Sequence, residues 1–287
     1  MSFLITGSHG QLGQEFCNYF KEEKIPFIAS ARSSSSDLLD ISDINDVRNF
    51  VIDKDVEAII NCAAYNLVDK AESDWISAYK TNSLGPRNLS IVANELNVPI
   101  IHFSTDYVFD GTKSSPYTIF DTPRPLSNYA RSKFYGEQFV RQLAQKYFLI
   151  RLSWVFGPGI QNFISKVITW SKDKSTLKIV VDEVSSPTYT ADVVKATINL
   201  FESKIFGLYH FCNQDSCSRF EWAQFILEQI KWPGKLLETT NKEFNLPATR
   251  PNYSVLDATD MYDIISYEVP DWKIATKNYL QRKELKL

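Results

Sequence analysis

The chain has 287 residues, of which 44% are hydrophobic and 23% are charged, and its formal net charge is −3. This composition is typical of a globular protein with one large domain or two lobes. A nearly balanced charge predicts neither a nucleic-acid partner nor attraction to an acidic membrane surface. No apolar run reaches the roughly 18 residues that a membrane-spanning helix needs.

Short β-rich runs alternate with helical stretches through the first half of the chain. The predicted strands are Phe3–Thr6, Phe27–Ala31, Glu57–Asn61, Ile100–Ser104 and Phe148–Leu152. The predicted helices are Gln11–Glu23, Ser73–Asn97 and a helix that carries Tyr129. This alternation is typical of an α/β fold with a doubly wound, Rossmann-like parallel sheet and helices on both faces. In such sheets, ligands bind beyond the carboxyl ends of the strands.

The pattern is less regular after Val155. Further predicted elements are the strands Leu177–Val181 and Gly207–Phe211 and the helices Phe163–Ser171, Asp192–Phe201 and Phe220–Gln229. We therefore predict a dinucleotide-binding domain over residues 1–155, to which later segments can return. Residues 156–287 are expected to form mainly a smaller, mixed α/β substrate lobe. The serine tract Ser33–Ser36 is expected to be a solvated loop.

The cysteines and the amino terminus give expectations about location. Cys17, Cys62, Cys212 and Cys217 form no Cys-x-x-Cys pair, and only three histidines are available to complete a zinc set. We therefore expect buried free thiols in a reducing cytoplasm and no structural zinc. The first apolar stretch is short and lacks the positive flank of a signal peptide.

A glycine-rich turn, Gly7–Gly13, directly follows the first predicted strand. Glycines let the backbone approach a pyrophosphate, and the following helix offers free N–H groups to the phosphates. The spacing is Gly-x-x-Gly-x-x-Gly rather than the simpler Gly-x-Gly-x-x-Gly fingerprint. Its place in the first βα unit favours a dinucleotide site over a plain strand–helix turn.

The segment after the second predicted strand distinguishes between the nicotinamide cofactors. An acidic residue here would accept from the ribose 2′-hydroxyl and repel a 2′-phosphate. The chain instead has Ser30-Ala31-Arg32-Ser33-Ser34. We therefore expect NADPH to be preferred, with NADH as the weaker alternative, unless Arg32 is only a loop residue. Asp40 is expected either to bond the adenine amino group or to cap the helix near Asp43–Phe50.

Tyr129 and Lys133 lie four residues apart, a spacing that places them on one face of a helix. At about 4 Å and an effective dielectric near 20, the ammonium would favour the phenolate by about 4 kcal/mol. We therefore expect Lys133 to lower the pKa of Tyr129, which could then exchange a proton with a substrate oxygen near neutral pH. Lys133 could also bind the nicotinamide ribose, and Thr105 could hold the reacting oxygen. A half-buried structural tyrosine is the alternative.

Five segments of the chain resemble one family. They are Gly7–Gly13; Ala63–Tyr65 with Val68–Glu72; Ser104–Gly111; Tyr129–Lys133 with Gly136-Glu137; and Arg151–Gly157. Together they are similar to the extended short-chain dehydrogenase/reductases, and within them to the dTDP-4-dehydrorhamnose reductases. The Thr-Asp-Tyr-Val-Phe-x-Gly and Val-Asp-x-Ala-Glu runs are the most specific. The similarity is strong to about Phe163, patchy from Ser186 onward, and returns at Arg250-Pro251.

The resemblance implies reduction of the C4 ketone of dTDP-6-deoxy-L-lyxo-4-hexulose to dTDP-L-rhamnose. The catalytic residues would be Thr105, Tyr129 and Lys133. The substrate-binding residues would be Thr105, Asp106, Tyr129 and Trp154, although Trp154 could also be a core residue. The cofactor-binding residues are expected to be Gly7, Gly10, Gln11, Leu12, Arg32, Asp40, Ile41, Ala63, Ala64, Tyr65, Tyr129 and Lys133. A bacterial surface polysaccharide would be the natural destination of the product.

Three acidic residues lie at positions that the resemblance covers: Asp69, Glu72 and Glu15. Asp69 and Glu72 are expected to be structural rather than catalytic. Some family members bind magnesium at a dimer interface, and Glu15 matches one acidic position, but Pro187–Asp192 offers little to complete the set. We therefore predict no metal, and a homodimer is left open.

Two other functions compete with the reductase. A related epimerase or dehydratase would recycle its cofactor, and a dehydratase would want a pair of carboxylates where Thr105-Asp106 supplies one. A non-catalytic regulatory subunit, such as the one that serves methionine adenosyltransferase, would bind the cofactor without turnover. Such a binder has no need of Thr105, Tyr129 and Lys133 together.

Overall fold

The computed structural model describes residues 1–32 and 37–282, so the predicted loop Ser33–Ser36 lies outside the described residues. The strands are β1 (Ser2–Thr6), β2 (Phe27–Ser30), β3 (Val56–Asn61), β4 (Ile100–Thr105), β5 (Tyr147–Leu152), β6 (Val155–Phe156), β7 (Thr176–Val180), β8 (Val184–Ser185), β9 (Thr188–Tyr189), β10 (Gly207–Phe211), β11 (Cys217–Ser218) and β12 (Lys235–Thr239). The α-helices are α1 (Gln11–Glu22), α2 (Ile44–Val51), α3 (Trp75–Tyr79), α4 (Gly85–Glu95), α5 (Asn128–Leu143), α6 (Phe163–Asp173), α7 (Thr190–Ser203), α8 (Arg219–Gln229), α9 (Thr259–Tyr262) and α10 (Trp272–Gln281).

Six parallel strands form the main sheet in the order β2-β1-β3-β4-β5-β10. Side chains alternate between its two faces, as the two-residue period of a strand requires. Phe3 and Ile5 of β1 enter the core beneath α1 and α7, whereas Leu4 enters the core beneath α2, α4 and α5. The doubly wound, Rossmann-like α/β fold predicted from the sequence is therefore confirmed.

The single long helix predicted over Ser73–Asn97 is wrong. The chain instead forms α3, a π-helical turn over Lys80–Leu84, and then α4. The side chain of Asn82 in this turn hydrogen-bonds both the N–H and the carbonyl of Tyr65, over 2.8 and 3.0 Å. A β-carbon at Gly136 would lie 2.1 Å from the Asn82 carbonyl oxygen, so α5 packs directly on the widened turn.

A second hydrophobic core lies in what we call the C-terminal lobe, the elements β6–β9, α6, β11, α8, β12 and α10. Trp222, Phe156 and Ile164 are fully buried there, and β7 pairs with β12 in parallel. The sequence did not predict β12 or α10. Between β9 and β11 the chain returns to the main sheet, where β10 pairs with β5. None of the helices in the described ranges is long and apolar enough to cross a membrane.

Candidate active site

A cleft of about 580 Å³ opens at the carboxyl ends of the sheet strands. It lies beside the point where the strand order reverses, because β2 and β3 flank β1 on opposite sides. Many of the predicted site residues line it: Gly10, Gln11, Leu12, Ala63, Ala64, Thr105, Asp106, Tyr129, Lys133 and Trp154. Residues from five separate segments thus converge on one space.

The glycine loop is shaped for close backbone approach. Gly7 has φ +67°, and a β-carbon there would lie 2.5 Å from the backbone of Ala63. A β-carbon at Gly13 would lie 2.3 Å from the Gly7 carbonyl oxygen. Helix α1 starts after Gly10, which makes no side-chain cap, so its first N–H groups are available to an anion. These residues therefore fit the phosphates of a dinucleotide.

A row of buried side chains fixes the loop that faces the glycines. The Asn61 carboxamide oxygen accepts from the Thr6 hydroxyl over 2.8 Å and from the Ala63 N–H over 3.1 Å. Its nitrogen lies 3.0 Å from Nδ1 of His102. Burial, followed by the charge of Lys133, holds the pKa of His102 well below its ordinary value, so the imidazole is neutral. The sequence did not single out this row, whose members lie on three different strands.

Thr105, Tyr129 and Lys133 are buried and line the same cleft. Thr105 ends β4, while Tyr129 and Lys133 lie on α5. The side chain of Ser127 caps this helix by accepting from the N–H of Ala130. The spacing argument for one shared helix face therefore agrees with the position of both residues in the cleft.

The expectation that Lys133 lowers the pKa of Tyr129 is wrong. Burial raises the pKa of Tyr129 above its ordinary value, the Thr105 hydroxyl opposes this rise, and the charge of Asp106 adds to it. The cause is that burial removes the phenolate from water, which disfavours the charged form. Tyr129 is consequently protonated at neutral pH, which is the form that a proton donor requires.

Lys133 is directed at the backbone of the sheet. Its Nζ donates to the carbonyl oxygen of Phe103 over 2.6 Å. Burial lowers the pKa of Lys133 to about 8, although Glu137 and Cys62 act in the opposite direction. The ammonium thus remains the main form at pH 7, held beside Tyr129 and the end of β4.

Comparison with known proteins places this geometry in a family. The RmlD substrate binding domain family matches residues 1–285. The chain belongs to this family. It is 33% identical to the spore coat polysaccharide biosynthesis protein SpsK of Bacillus subtilis, across 98% of this chain and 97% of that protein. It is also 33% identical to the dTDP-4-dehydrorhamnose reductase of Aggregatibacter actinomycetemcomitans, across 96% and 97% of the two chains.

Solved structures agree with the family assignment. A dTDP-4-dehydrorhamnose reductase from Clostridium acetobutylicum superposes with a TM-score of 0.93 at 36% identity, covering 98% of each chain. The enzyme of the same name from Bacillus anthracis, crystallised with NADP, gives a TM-score of 0.92 at 33% identity and covers 98% of this chain and 99% of its own. The similarity to the reductases expected from the sequence motifs is confirmed.

Asp106 connects Thr105, in this RmlD-family cleft, to Ser185 of the C-terminal lobe. Its carboxylate accepts from the hydroxyls of Thr105, Ser185 and Ser254, over 3.1, 3.3 and 2.5 Å. Burial raises the pKa of Asp106 to about 6, against the opposing effect of these hydroxyls and of Arg219. The sequence predicted Asp106 as a site residue but not the two serines, which lie far along the chain.

The raised pKa of Asp106 gives a signed prediction for stability. Between about pH 4 and pH 6 the unfolded carboxyl loses its proton while the native one keeps it, so stability falls as pH rises through this window. Relative to Asp106→Asn, the wild type should lose about 3 kcal/mol of unfolding free energy across it. Urea unfolding of both proteins from pH 4 to pH 7 measures this difference. Parallel pH curves would contradict it.

Trp154 follows β5 and belongs to both the cleft and the second core. It has φ +41°, an unusual conformation for a residue with a side chain. Its ring stacks on Trp222 at a centroid distance of 5.8 Å and an interplanar angle of 8°. The guanidinium carbon of Arg219 lies 3.6 Å from the centroid of the Trp154 ring. Both alternatives for Trp154, site residue and core residue, therefore have structural support.

Trp154→Phe should accordingly change stability and activity together. We expect a loss of about 1–3 kcal/mol in unfolding free energy, because the stack on Trp222 and the contact with Arg219 are reduced. The value of kcat/KM should also fall, since the ring borders the cleft. Trp170→Phe is the control, because Trp170 is partly exposed on α6 and does not line the cleft. A stability loss with unchanged kcat/KM would make Trp154 a core residue only.

The acidic residues of the Val-Asp-x-Ala-Glu run make structural contacts beside the cleft. Asp69 accepts two hydrogen bonds from Arg250, over 3.0 and 2.7 Å, which hold the pKa of Asp69 below its ordinary value. Glu72 accepts from the N–H of Asn128 over 2.8 Å, at the start of α5. Glu72 thus secures the turn of helix that presents Tyr129.

The remaining predicted cofactor residues lie outside the cleft lining. Arg32 is exposed just after β2, and the Tyr65 backbone is held by Asn82.

Asp43 caps α2, so the interpretation of Asp40 as its cap is wrong. The Asp40 carboxylate instead accepts from the N–H and hydroxyl of Ser42. Ile41 is buried, and a β-carbon at Gly85 would touch its side chain, so this part of the chain packs tightly on α4.

Glu15, the residue that matches a magnesium position of some relatives, has a cationic partner within the chain. Its carboxylate accepts from Arg282 over 2.7 and 3.0 Å and from the Thr190 hydroxyl over 3.2 Å. Within residues 1–32 and 37–282, no group of three or more His, Cys, Asp or Glu side chains is arranged to hold a metal ion. All four cysteines are free thiols.

Proposed function

We propose that this protein is an NADPH-dependent reductase that converts the C4 ketone of dTDP-6-deoxy-L-lyxo-4-hexulose into dTDP-L-rhamnose. The observation that carries the proposal is the convergence of Thr105, Tyr129 and Lys133 on the glycine-loop cleft. The relatives of known structure at 36% and 33% identity, both dTDP-4-dehydrorhamnose reductases, support the choice of substrate.

Residues in and beside the cleft have separate roles in the proposed reaction. Bound NADPH would supply the hydride that the carbonyl carbon accepts. Tyr129, protonated at neutral pH, donates its proton to the carbonyl oxygen as the carbon–oxygen double bond becomes a single bond. Thr105 holds that oxygen, and Lys133 lines the same cleft as an ammonium. Asp106 and Trp154 border the sugar, while Gly7, Gly10, Gln11, Leu12, Ala63, Ala64 and Tyr65 surround the cofactor.

A turnover assay tests this function directly. The purified protein, NADPH and the hexulose substrate should give one oxidised cofactor for each molecule of dTDP-L-rhamnose, measured by absorbance and mass spectrometry. An epimerase or dehydratase would convert nucleotide sugars without net consumption of NADPH. A regulatory subunit would bind NADPH and leave the ketone unchanged. Either result would overturn the reductase assignment.

The preference for NADPH is proposed to come from Arg32, with Asp40 and Ile41 beside the adenosine. Arg32 lies two residues after the end of β2, and a guanidinium can bind two oxygens of a 2′-phosphate at once. Arg32→Ala should therefore weaken NADPH binding by about 10-fold or more and change NADH binding little. Titration of both cofactors measures the effect. Arg131→Ala, an exposed arginine on α5, is the control, and equal losses for both cofactors would contradict the role of Arg32.

The division of the chain and its setting are also proposals. Residues 1–155 with β10 would bind the dinucleotide, and most of residues 156–287 would bind the nucleotide sugar. The four free thiols support a cytoplasmic location.

A homodimer is the assembly we propose, because it is the commonest symmetric oligomer and Trp75, Ile76 and Tyr135 are exposed on α3 and α5. Sedimentation of the purified protein tests the last point.

A further inference from the structure

Arg219 enters the cleft from the C-terminal lobe, at the first position of α8. Its guanidinium carbon lies 3.6 Å from the centroid of the Trp154 ring and 4.8 Å from that of Phe163. Its Nε donates to Glu183 over a long 3.4 Å contact. Its side chain remains 17% exposed. In the part of the chain that the structure describes, its two terminal nitrogens have no hydrogen-bond acceptor.

The other cations near the cleft are already engaged. Lys133 donates to the Phe103 carbonyl. Arg250 directs both terminal nitrogens at Asp69, over 3.0 and 2.7 Å. On the side of the C-terminal lobe, Arg219 is the described cation that lines the cleft, and its terminal N–H groups have no acceptor.

The surroundings of Arg219 hold its guanidinium in one plane. Aromatic rings against an arginine face restrict its rotamers and leave its N–H edge free. A guanidinium edge matches two oxygens of a phosphate at once, and such charge-assisted pairs are stronger than neutral hydrogen bonds. The single weak contact with Glu183 sets the orientation of the plane without occupying the four terminal N–H groups.

We propose that Arg219 recognises the diphosphate of the nucleotide-sugar substrate. This inference rests on the proposed function, because it assumes that the substrate carries a nucleoside diphosphate, which stays attached to the sugar throughout the reaction. Trp154 then has a further task, since its ring is the surface on which the guanidinium lies. The sugar ring would extend from the diphosphate towards Asp106 and Tyr129, which line the same cleft.

Binding titrations with dTDP, thymidine and NADPH test the inference. Arg219→Gln should raise the Kd for dTDP by about 10- to 100-fold, the range expected when charge-assisted hydrogen bonds are lost. The Kd values for thymidine and NADPH should stay within about 2-fold. Arg219→Lys should recover part of the affinity, because it keeps the charge but not the planar fork. Lys166→Gln is the control for a general loss of positive charge, since Lys166 is exposed on the nearby α6 and does not line the cleft.

Three results would overturn the role of Arg219: an unchanged Kd for dTDP in Arg219→Gln, an equal weakening of thymidine and dTDP, or an equal effect of Lys166→Gln. The turnover assay on the wild type separates this inference from the proposed function. A protein that binds dTDP through Arg219 but reduces no ketone would contradict only the proposed reaction. An active reductase whose Kd for dTDP is unchanged in Arg219→Gln would contradict only the inference.

Discussion

Tyr129→Phe is expected to reduce turnover by about 10²- to 10⁴-fold, the usual contribution of a general acid. The substitution removes one hydroxyl and keeps the ring, which packs edge-on against Tyr107 at 6.2 Å. The fold and the affinity for NADPH should therefore be retained. Because burial keeps Tyr129 protonated at neutral pH, the lost group is the proton donor itself.

Steady-state kinetics, an NADPH titration and a thermal melt on the same preparation measure this prediction. Tyr135→Phe removes the same hydroxyl from the same helix, at a position that is 48% exposed and outside the cleft. It should leave kcat unchanged. Near-normal turnover in Tyr129→Phe would exclude this tyrosine as the acid. A comparable loss in Tyr135→Phe would point to damage of α5 instead.

Glu137→Gln is expected to cost about 3–5 kcal/mol of unfolding free energy, because it leaves a buried charge without its partner. Glu137 and Arg151 form two hydrogen bonds of 2.9 and 2.7 Å, and their side chains are 0% and 1% exposed. The pair links α5 to β5 one helical turn beyond Lys133. Its loss should therefore loosen the helix that carries Tyr129 and Lys133.

Urea unfolding with a matched surface pair checks this effect. Arg48 and Glu95 also form two hydrogen bonds, but on the exposed surface between α2 and α4. Water screens such a pair, so Glu95→Gln should cost far less than Glu137→Gln. Similar losses in the two variants would show that burial does not set the strength of the inner pair.

The parts of the fold predicted from sequence are those governed by short-range patterns. Phe3–Thr6 and Ile100–Ser104 are apolar runs of strand length, and the structure extends each by a single residue. The spacing of Gly7, Gly10 and Gly13 likewise predicted the turn between β1 and α1. Local periodicity and glycine placement are enough for such elements, since no distant partner decides them.

The failures come from contacts between distant residues. The break in the predicted helix has a distant cause, the hydrogen bonds of Asn82 to the Tyr65 backbone, and a local signal that was missed, the Gly85-Pro86 step at which α4 starts. The cradle around Asp106 needs Ser185 and Ser254, which no pattern connects to it. The pKa of Tyr129 depends mainly on the burial of its side chain. The four-residue spacing to Lys133 does not indicate how deeply that side chain is buried.

The position of β10 has a consequence for how the protein is made. Strand β5 lacks its neighbour β10 until the ribosome has passed Phe211, by which time β6–β9, α6 and α7 have also been synthesised. At about 5–20 residues per second, β5 waits on the order of seconds for its neighbour. Its exposed edge is meanwhile open to pairing with other chains. A fragment ending near residue 155 would therefore keep β5 as an edge strand, paired with β4 on one side only.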